Sequence, residues 1–469
     1  MRTLETDYLV VGAGATGMAF VDALLAGRHD VRIVMVDRRH RPGGHWLDAY
    51  PFVRLHQPSA NYGVASRTLG EDRIDTEGIN AGFYERATAS EICDYFGRVL
   101  DETFIGSGRV EFLGMHDYRG SDGEGHHVVS LLTGEATVVK ARKLVDATYV
   151  ESSIPSRHTP AYTRDDGVRL IAPNDLVDLD EPASGFTVIG AGKTAMDTCN
   201  WLLDQGVDPD DIEWLRTRDP WLINRASMQP LDLVGANMQM QARWVEAAAE
   251  AESGRDFGRR LADAGVFLRI DETVEPEAFR GATISRAEID ALRTIERVVR
   301  LGRVLKITNS EVMLTQGTIP AEPGRIYVDC TAAGLRPTVQ RPVFEDSLIT
   351  LQYVTIGVVP WGAAVIGHVE AVKHDDDEKN RLCPVVSFDG TIADILRLAF
   401  AGMSGLMARA ADPDISAWND ACRLNPSMGA AGKMDDPVVA EAFGSMVTNI
   451  GPALRNLTAR AGTPAAAAT

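Results

Sequence analysis

A glycine-rich turn set between an apolar strand and a helix occurs twice in this 469-residue chain, with Gly12 and Gly190 opening the two copies 178 residues apart. In the first, the apolar run Tyr8–Val11 leads into Gly12-Ala13-Gly14-Ala15-Thr16-Gly17, an apolar helix over 18–25 and a second strand over 31–36. In the second, 186–189 is the strand, Gly190-Ala191-Gly192-Lys193-Thr194-Ala195 is the turn, 195–203 is helical and 212–216 is the next strand. A continuous apolar strand is the kind buried in a parallel sheet, and β-α-β over so short a span is the unit of a dinucleotide-binding fold. The repeat therefore predicts an α/β protein with two dinucleotide-binding units.

Each residue type in these turns has a physical task. Gly12 permits the tight turn, Gly14 leaves room for a diphosphate to reach the backbone, and Gly17 lets the helix pack on the sheet. The helix N-terminus, at Ala15 and Thr16, then offers unpaired N–H groups and a partial positive charge to the anion. Asp37 ends the second strand, where an acid accepts hydrogen bonds from an adenosine ribose. In the second copy Gly190, Gly192, Lys193 and Thr194 stand in the same places, and Ala195 replaces the third glycine. Its second strand ends in Arg216 and Arg218, and a guanidinium there suits the 2′-phosphate of NADP. Glu213, in the same strand, lies short of the tip.

The net charge of −19 disfavours nucleic acid and anionic membrane surfaces as partners, since both require clustered Lys and Arg. Five scattered cysteines include no C-x-x-C pair and are expected as buried filler in a reducing, cytoplasmic setting. Arg2, Glu5 and Asp7 lead straight into a strand, so no signal peptide is expected. The most apolar stretch, 392–407, contains Asp394 and Arg397 and is too short and charged for a membrane span. There is no G-x-S-x-G for a hydrolase, and no metal site is expected: His368, Glu370, His374 and Asp375–Asp377 lack motif spacing and read as a solvated charged loop.

Gly43-Gly44-His45-Trp46 follows Asp37, and Arg218, Trp221 and Arg225 follow the second unit's strand. With these two elements the chain resembles the flavin-dependent monooxygenase superfamily, specifically its class B-like FAD/NADPH members. The resemblance implies FAD in the first unit, at Gly12, Gly14, Ala15, Thr16, Gly17, Asp37, Arg38, Gly44, His45 and Trp46. It implies NADPH in the second, at Gly190, Gly192, Lys193, Thr194, Arg216 and Arg218. It places the segment 50–61 against the isoalloxazine, with His56, Gln57 and Asn61 as polar catalytic candidates. The implied activity is transfer of one oxygen atom from a flavin C4a-(hydro)peroxide to nitrogen, sulfur or carbon of a small organic substrate, with O2 as co-substrate. Three alternatives stay open: a single-component flavin halogenase, an FAD/NADPH reductase or dehydrogenase without oxygenation, and a non-catalytic flavin-binding protein.

Val145–Thr148 and Val328–Pro337 resemble the family's crossings between the two nucleotide units. Of the family's fingerprint between the glycine loops, His158 and Tyr162 keep their spacing, whereas Ser152 and Ile154 replace the Phe and Gly; Tyr149 replaces the glycine of the first crossing. The expected division is an FAD unit over 1–150, an NADP unit over 151–335 with a helical insert around 228–296, and a return to the FAD unit with a helical cap over 336–469. Oligomeric state is open, a homodimer being one option.

Elsewhere, periodicity predicts a helix over 90–103 capped by Ser90, short strands over 109–149, one long helix over 242–262 and a Ser285/Glu288 capping box. Strands are predicted over 298–305 and 325–330, and helices over 391–407, 416–422 and 438–447. The tail 461–469 is expected to be disordered.

Overall fold

The structure, a computed structural model, describes residues 2–334, 338–386 and 389–461. β1 (Arg2–Val11) runs six residues further back than its apolar centre predicts. The extra length is explained by pairing: Arg2–Thr6 form ladder partners with Thr137–Ala141. α1 (Ala15–Gly27) connects β1 to the parallel β2 (Ile33–Asp37). α2 (Ala89–Arg98) follows a long irregular segment and is capped by Thr88, not Ser90: the Thr88 hydroxyl accepts from the Glu91 N–H and the Glu91 carboxylate accepts from the Thr88 N–H. That reciprocal pair satisfies two helix-end donors, which Ser90, already two residues inside the helix, does not cap. β3 (Val110–Gly114), β4 (His116–Asp122), β5 (Gly125–Ser130) and β6 (Ala136–Asp146) complete this half of the sheet as the alternating sequence predicts.

β6 ends at the first crossing, and the chain passes into the second unit. This contains β7 (Thr163–Arg164), β8 (Arg169–Ile171), β9 (Phe186–Ile189), α3 (Lys193–Asp204), β10 (Ile212–Leu215) and β11 (Pro220–Asn224). The predicted long helix over 242–262 is two helices, α4 (Val234–Glu250) and α5 (Gly254–Asp263). The Ser253 hydroxyl caps α5 through the Asp256 N–H, and Gly254 lies so tightly on the Ile392 carbonyl that any Cβ would collide with it. β12 (Phe267–Leu268), β13 (Ala278–Ile284) and α6 (Arg286–Leu292), with its Ser285/Glu288 capping box in place, follow. The predicted strand 298–305 is broken into β14 (Val298–Val299) and β15 (Val304–Ile307) by Gly302, at φ +81°. β16 (Glu311–Leu314) and β17 (Gly317–Pro320) form a hairpin that periodicity missed, and β18 (Ile326–Asp329) closes the unit.

Beyond the second crossing, β19 (Phe344–Glu345) and β20 (Leu348–Thr350) rejoin the first sheet, with Leu348–Thr350 parallel to Leu144–Asp146. The first sheet thus runs β19-β20-β6-β1-β2-β3, with the β4–β5 hairpin paired on β6. The second, β14-β10-β9-β18-β8, is parallel throughout. In each, the strand before the glycine turn sits centrally, beside the strand that ends in a crossing. α7 (Val359–Val372) was not read from sequence. It packs along α1, where Gly367 allows close approach to the Phe20 backbone. His368 and Glu370 therefore belong to a packed helix rather than a solvated loop: His368 stacks on Trp418 at 4.3 Å and Glu370 accepts from Tyr8, Lys143 and Lys379. α8 (Asp376–Leu382), α9 (Ile395–Ala410), α10 (Pro413–Ala421) and α11 (Pro437–Ala461) form the helical end, and α11, longer than predicted, packs on α4 and α9. Residues 335–337 of the second crossing motif and 462–469 of the tail lie outside the described residues. Among those described, no helix is long and apolar enough to cross a membrane, no His/Cys/Asp/Glu group could hold a metal, and all five cysteines are buried and free.

Candidate functional site

The first glycine loop begins where β1 ends. Gly12 adopts φ +105° and packs on Ala147 and Thr148 of the first crossing, while any Cβ on Gly17 would collide with the Gly12 carbonyl. Gly14 differs: a Cβ there would meet nothing nearer than the Gly44 Cα at 3.6 Å. α1 has no capping side chain and no acid in its first turn, so its N-terminal N–H groups are left for an anion. Asp37 braces this loop. Its Oδ2 accepts from the Ala13 N–H at 2.7 Å and its Oδ1 from the Arg39 N–H at 2.8 Å. A carboxylate has about four acceptor sites, so a ribose hydroxyl would still find a partner. Ala15 and Thr16 occupy the first turn, where the Thr16 hydroxyl donates to the Ala147 carbonyl at 3.3 Å. Arg38 points away, exposed and 3.4 Å from Asp117.

Gly43 and Gly44, at φ +135° and +58°, fold the next segment onto that loop. His45 stacks obliquely on Trp46, and the Trp46 indole N–H donates to the Tyr62 hydroxyl at 2.6 Å. Burial, then the Arg39 charge, lowers the His45 pKa to about 4. His56 is half-buried and likewise lowered to about 4, by burial and then by Lys193. It is therefore a neutral imidazole at pH 7. Asn61 is buried, and its amide donates at 3.4 Å to the Arg423 carbonyl in the helical cap. Gln57, half-buried, lies between them in sequence.

The second loop repeats the first. Gly190, at φ +145°, packs on Cys330 of the second crossing, and a Cβ on Gly192 would meet nothing within 4 Å. α3 also starts without a capping side chain or first-turn acid. Thr194 sits in that first turn, its carbonyl accepting from Thr198. The two arginines separate here. Arg216, expected at the NADP 2′-phosphate, is only 2% exposed, stacked over Trp214 and paired with Asp219 at 2.9 Å. Arg218 is exposed, and burial followed by the charges of Arg280 and Arg303 lowers its pKa. Arg280 and Arg303 were not singled out from sequence; they come from β13 and the turn before β15. The retained fingerprint residues fix the second crossing: the His158 imidazole is 3.2 Å from the Thr331 hydroxyl, and the Tyr162 hydroxyl donates to Asp329 at 3.1 Å. Tyr149 donates to the Val339 carbonyl at 2.5 Å.

Between the units lies a buried ionic cluster that sequence reasoning missed. Glu288, 2% exposed, lies 2.7 Å from Arg225, 3.5 Å from Lys193 and 3.9 Å from Arg86. Lys193 also pairs with Asp197, which accepts from the Tyr50 hydroxyl at 2.8 Å. Burial alone would raise the Glu288 pKa, but the charges of Lys193, Arg225 and Arg86 hold it well below the usual carboxylate range. Lys193 is thus turned into the protein rather than toward the loop mouth. Only Ser285-x-x-Glu288 signalled Glu288 in sequence, and that motif speaks of a helix cap.

Residues 10–66 match the NAD(P)-binding Rossmann-like domain family. Across 425 residues, the chain is 43% identical to an uncharacterized protein of Mycobacterium tuberculosis, a match covering 90% of this chain and 78% of that protein. The chain belongs to that protein's family. A Mycobacterium bovis member of the family, also uncharacterized, matches to the same extent, 43% over 425 residues. Among solved structures the likeness is looser. Cyclohexanone monooxygenase overlays at 15% identity and TM-score 0.47, covering 78% of this chain and 88% of that one. An oxidized steroid monooxygenase bound to NADP gives 15% and 0.48, covering 78% and 86%. A bacillithiol disulfide reductase from Bacillus cereus gives 10% and 0.47, covering 78% and 98%. All three overlays fall below 0.5.

Proposed function

We propose that the protein is an FAD-dependent, NADPH-using monooxygenase that transfers one atom of O2 to a small organic substrate. The observation that carries this reading is the pair of uncapped helix N-termini, each with an open middle glycine, Gly14 and Gly192, held by loops that pack on the two crossings. Two such sites in one chain suit two dinucleotides, so that one can reduce the other. The Gly43-Gly44-His45-Trp46 element supports FAD in the first, read as 1–150 with the return after the second crossing. Arg218, flanked by Arg280 and Arg303, supports NADPH in the second, within 151–335.

FAD, when bound, supplies hydride acceptance from NADPH and the activation of O2. The chain's own residues do the rest. The N-termini of α1 and α3 bind the diphosphates. Tyr50 links the 50–61 segment to Asp197 of α3, which holds the two units in register. His56, uncharged at pH 7, and the amides of Gln57 and Asn61 supply hydrogen-bonding groups without adding charge. The cap, through the Arg423 carbonyl on Asn61, helps close this region from water. The test is steady-state NADPH oxidation with H2O2 yield measured beside candidate nitrogen, sulfur and ketone substrates. Substrate-dependent loss of H2O2 supports oxygen transfer; oxidation with full H2O2 release throughout favours a reductase.

A further inference from the structure

The cluster around Glu288 does not sum to neutrality. Lys193, Arg225 and Arg86 bring three positive charges, Glu288 and Asp197 two negative ones, and His56 and Tyr50 are uncharged at pH 7. Arg54, the next nearest cation, is exposed and screened by solvent. Arg225 is fully buried and Arg86 6% exposed, yet Arg225 Nη2 and Arg86 Nε have no hydrogen-bond acceptor among the described residues. Unmade hydrogen bonds on buried guanidinium groups and a net buried charge are both costly, so the cluster is incomplete until an anionic group comes near it. Its position says which. Arg86 donates to the Leu55 carbonyl at 3.2 Å and Arg225 to the His56 carbonyl at 3.4 Å. Both cations thus stand directly behind the segment assigned above to the flavin ring.

We propose that Glu288 is a positioning residue that sets the field at the flavin: it holds Lys193, Arg225 and Arg86 in place while leaving one positive charge in excess, which stabilises the negative charge FAD gains on reduction. This rests on the FAD and NADPH reading. In the step concerned, NADPH gives a hydride to FAD, leaving NADP+ and a reduced flavin with one more negative charge than the oxidised form. The inserted helix α6, which the sequence presents as scaffold, thereby becomes part of the redox apparatus.

The holoenzyme tests this by anaerobic equilibration with a redox dye. Glu288→Gln keeps the shape and removes one negative charge, so the reduced-to-oxidised flavin ratio at a fixed potential should rise roughly tenfold. Arg86→Gln should lower the ratio by a similar factor. Opposite shifts are the signature, because a bracing role would move thermal stability and leave the potential alone. Unchanged ratios in flavin-loaded variants overturn the proposal. If Glu288→Gln does not fold, Arg86→Gln decides by itself. Wild-type protein without flavin would instead sink the cofactor reading, a result separate from either variant's.

Discussion

A Cβ on Gly44 would stand 2.9 Å from the Gly14 Cα, so the Gly-Gly-His-Trp element and the first glycine loop meet backbone to backbone. Gly44 also adopts φ +58°, which L side chains rarely do. The open side of Gly14 is where a diphosphate would approach. Gly14→Val is expected to purify with at least tenfold less flavin per chain and near-normal thermal stability, because its side chain enters open space. Gly44→Val should lose flavin and stability together. Absorbance of the purified proteins and their melting temperatures check both.

The two arginines at the end of β10 should behave differently. Arg218→Ala removes an exposed charge-assisted contact worth about 1.5–3 kcal/mol, so KM for NADPH should rise roughly ten- to hundredfold while KM for NADH barely changes. Arg216→Ala breaks a buried ion pair, at a cost of about 3–5 kcal/mol, moderated because Arg300 also lies 3.1 Å from Asp219. It should act mainly on stability. Steady-state kinetics with both coenzymes, beside urea unfolding, separate the two effects.

Asn61 joins the 50–61 segment to the cap. Its bond to the Arg423 carbonyl is long, at 3.4 Å, and its loss should cost only about 0.5–1.5 kcal/mol. Asn61→Ala is therefore expected to keep flavin and hydride transfer while releasing several-fold more H2O2 per NADPH. If stability and flavin are lost together and coupling in the remaining enzyme is unchanged, Asn61 is a loop brace only.

Acid should destabilise the fold in a defined window. His45, His56 and His368 all have pKa values lowered to about 4, with burial the first cause in each. The unfolded chain, with histidine near about 6.5, binds more protons between those values, so stability falls as pH drops from about 6.5 to 4. Each contributes roughly 1 kcal/mol at pH 5 after allowing for partial exposure. Glu288 adds to the loss at lower pH still, because the stability from its depressed pKa goes as it protonates. Urea midpoints at pH 7 and pH 5 should differ, and His56→Gln should reduce the difference by about a third.

The glycine loops, their flanking strands and the Asp37 position were legible because each depends on local chemistry: a turn only glycine adopts, an apolar run, an acid at a strand tip. What escaped depends on distant partners. Arg216 and Arg218 look alike in sequence, and only the placement of Trp214 and Asp219 buries one and exposes the other. Glu288 reads as a helix cap because its three cations lie at positions 86, 193 and 225. α7 has apolar residues on every side, which removes the periodic stripe that marks an amphipathic helix. The predicted helix over 242–262 breaks just before Gly254, whose close packing on Ile392 involves a residue more than a hundred positions away.

The most direct test of the central claim is anaerobic mixing of the purified protein with NADPH while the flavin absorbance is followed. One FAD per chain, bleached by NADPH and more slowly by NADH at equal concentration, is the result predicted from the two loops and Arg218. Protein that binds no flavin, or a bound flavin that NADPH does not bleach, would contradict it.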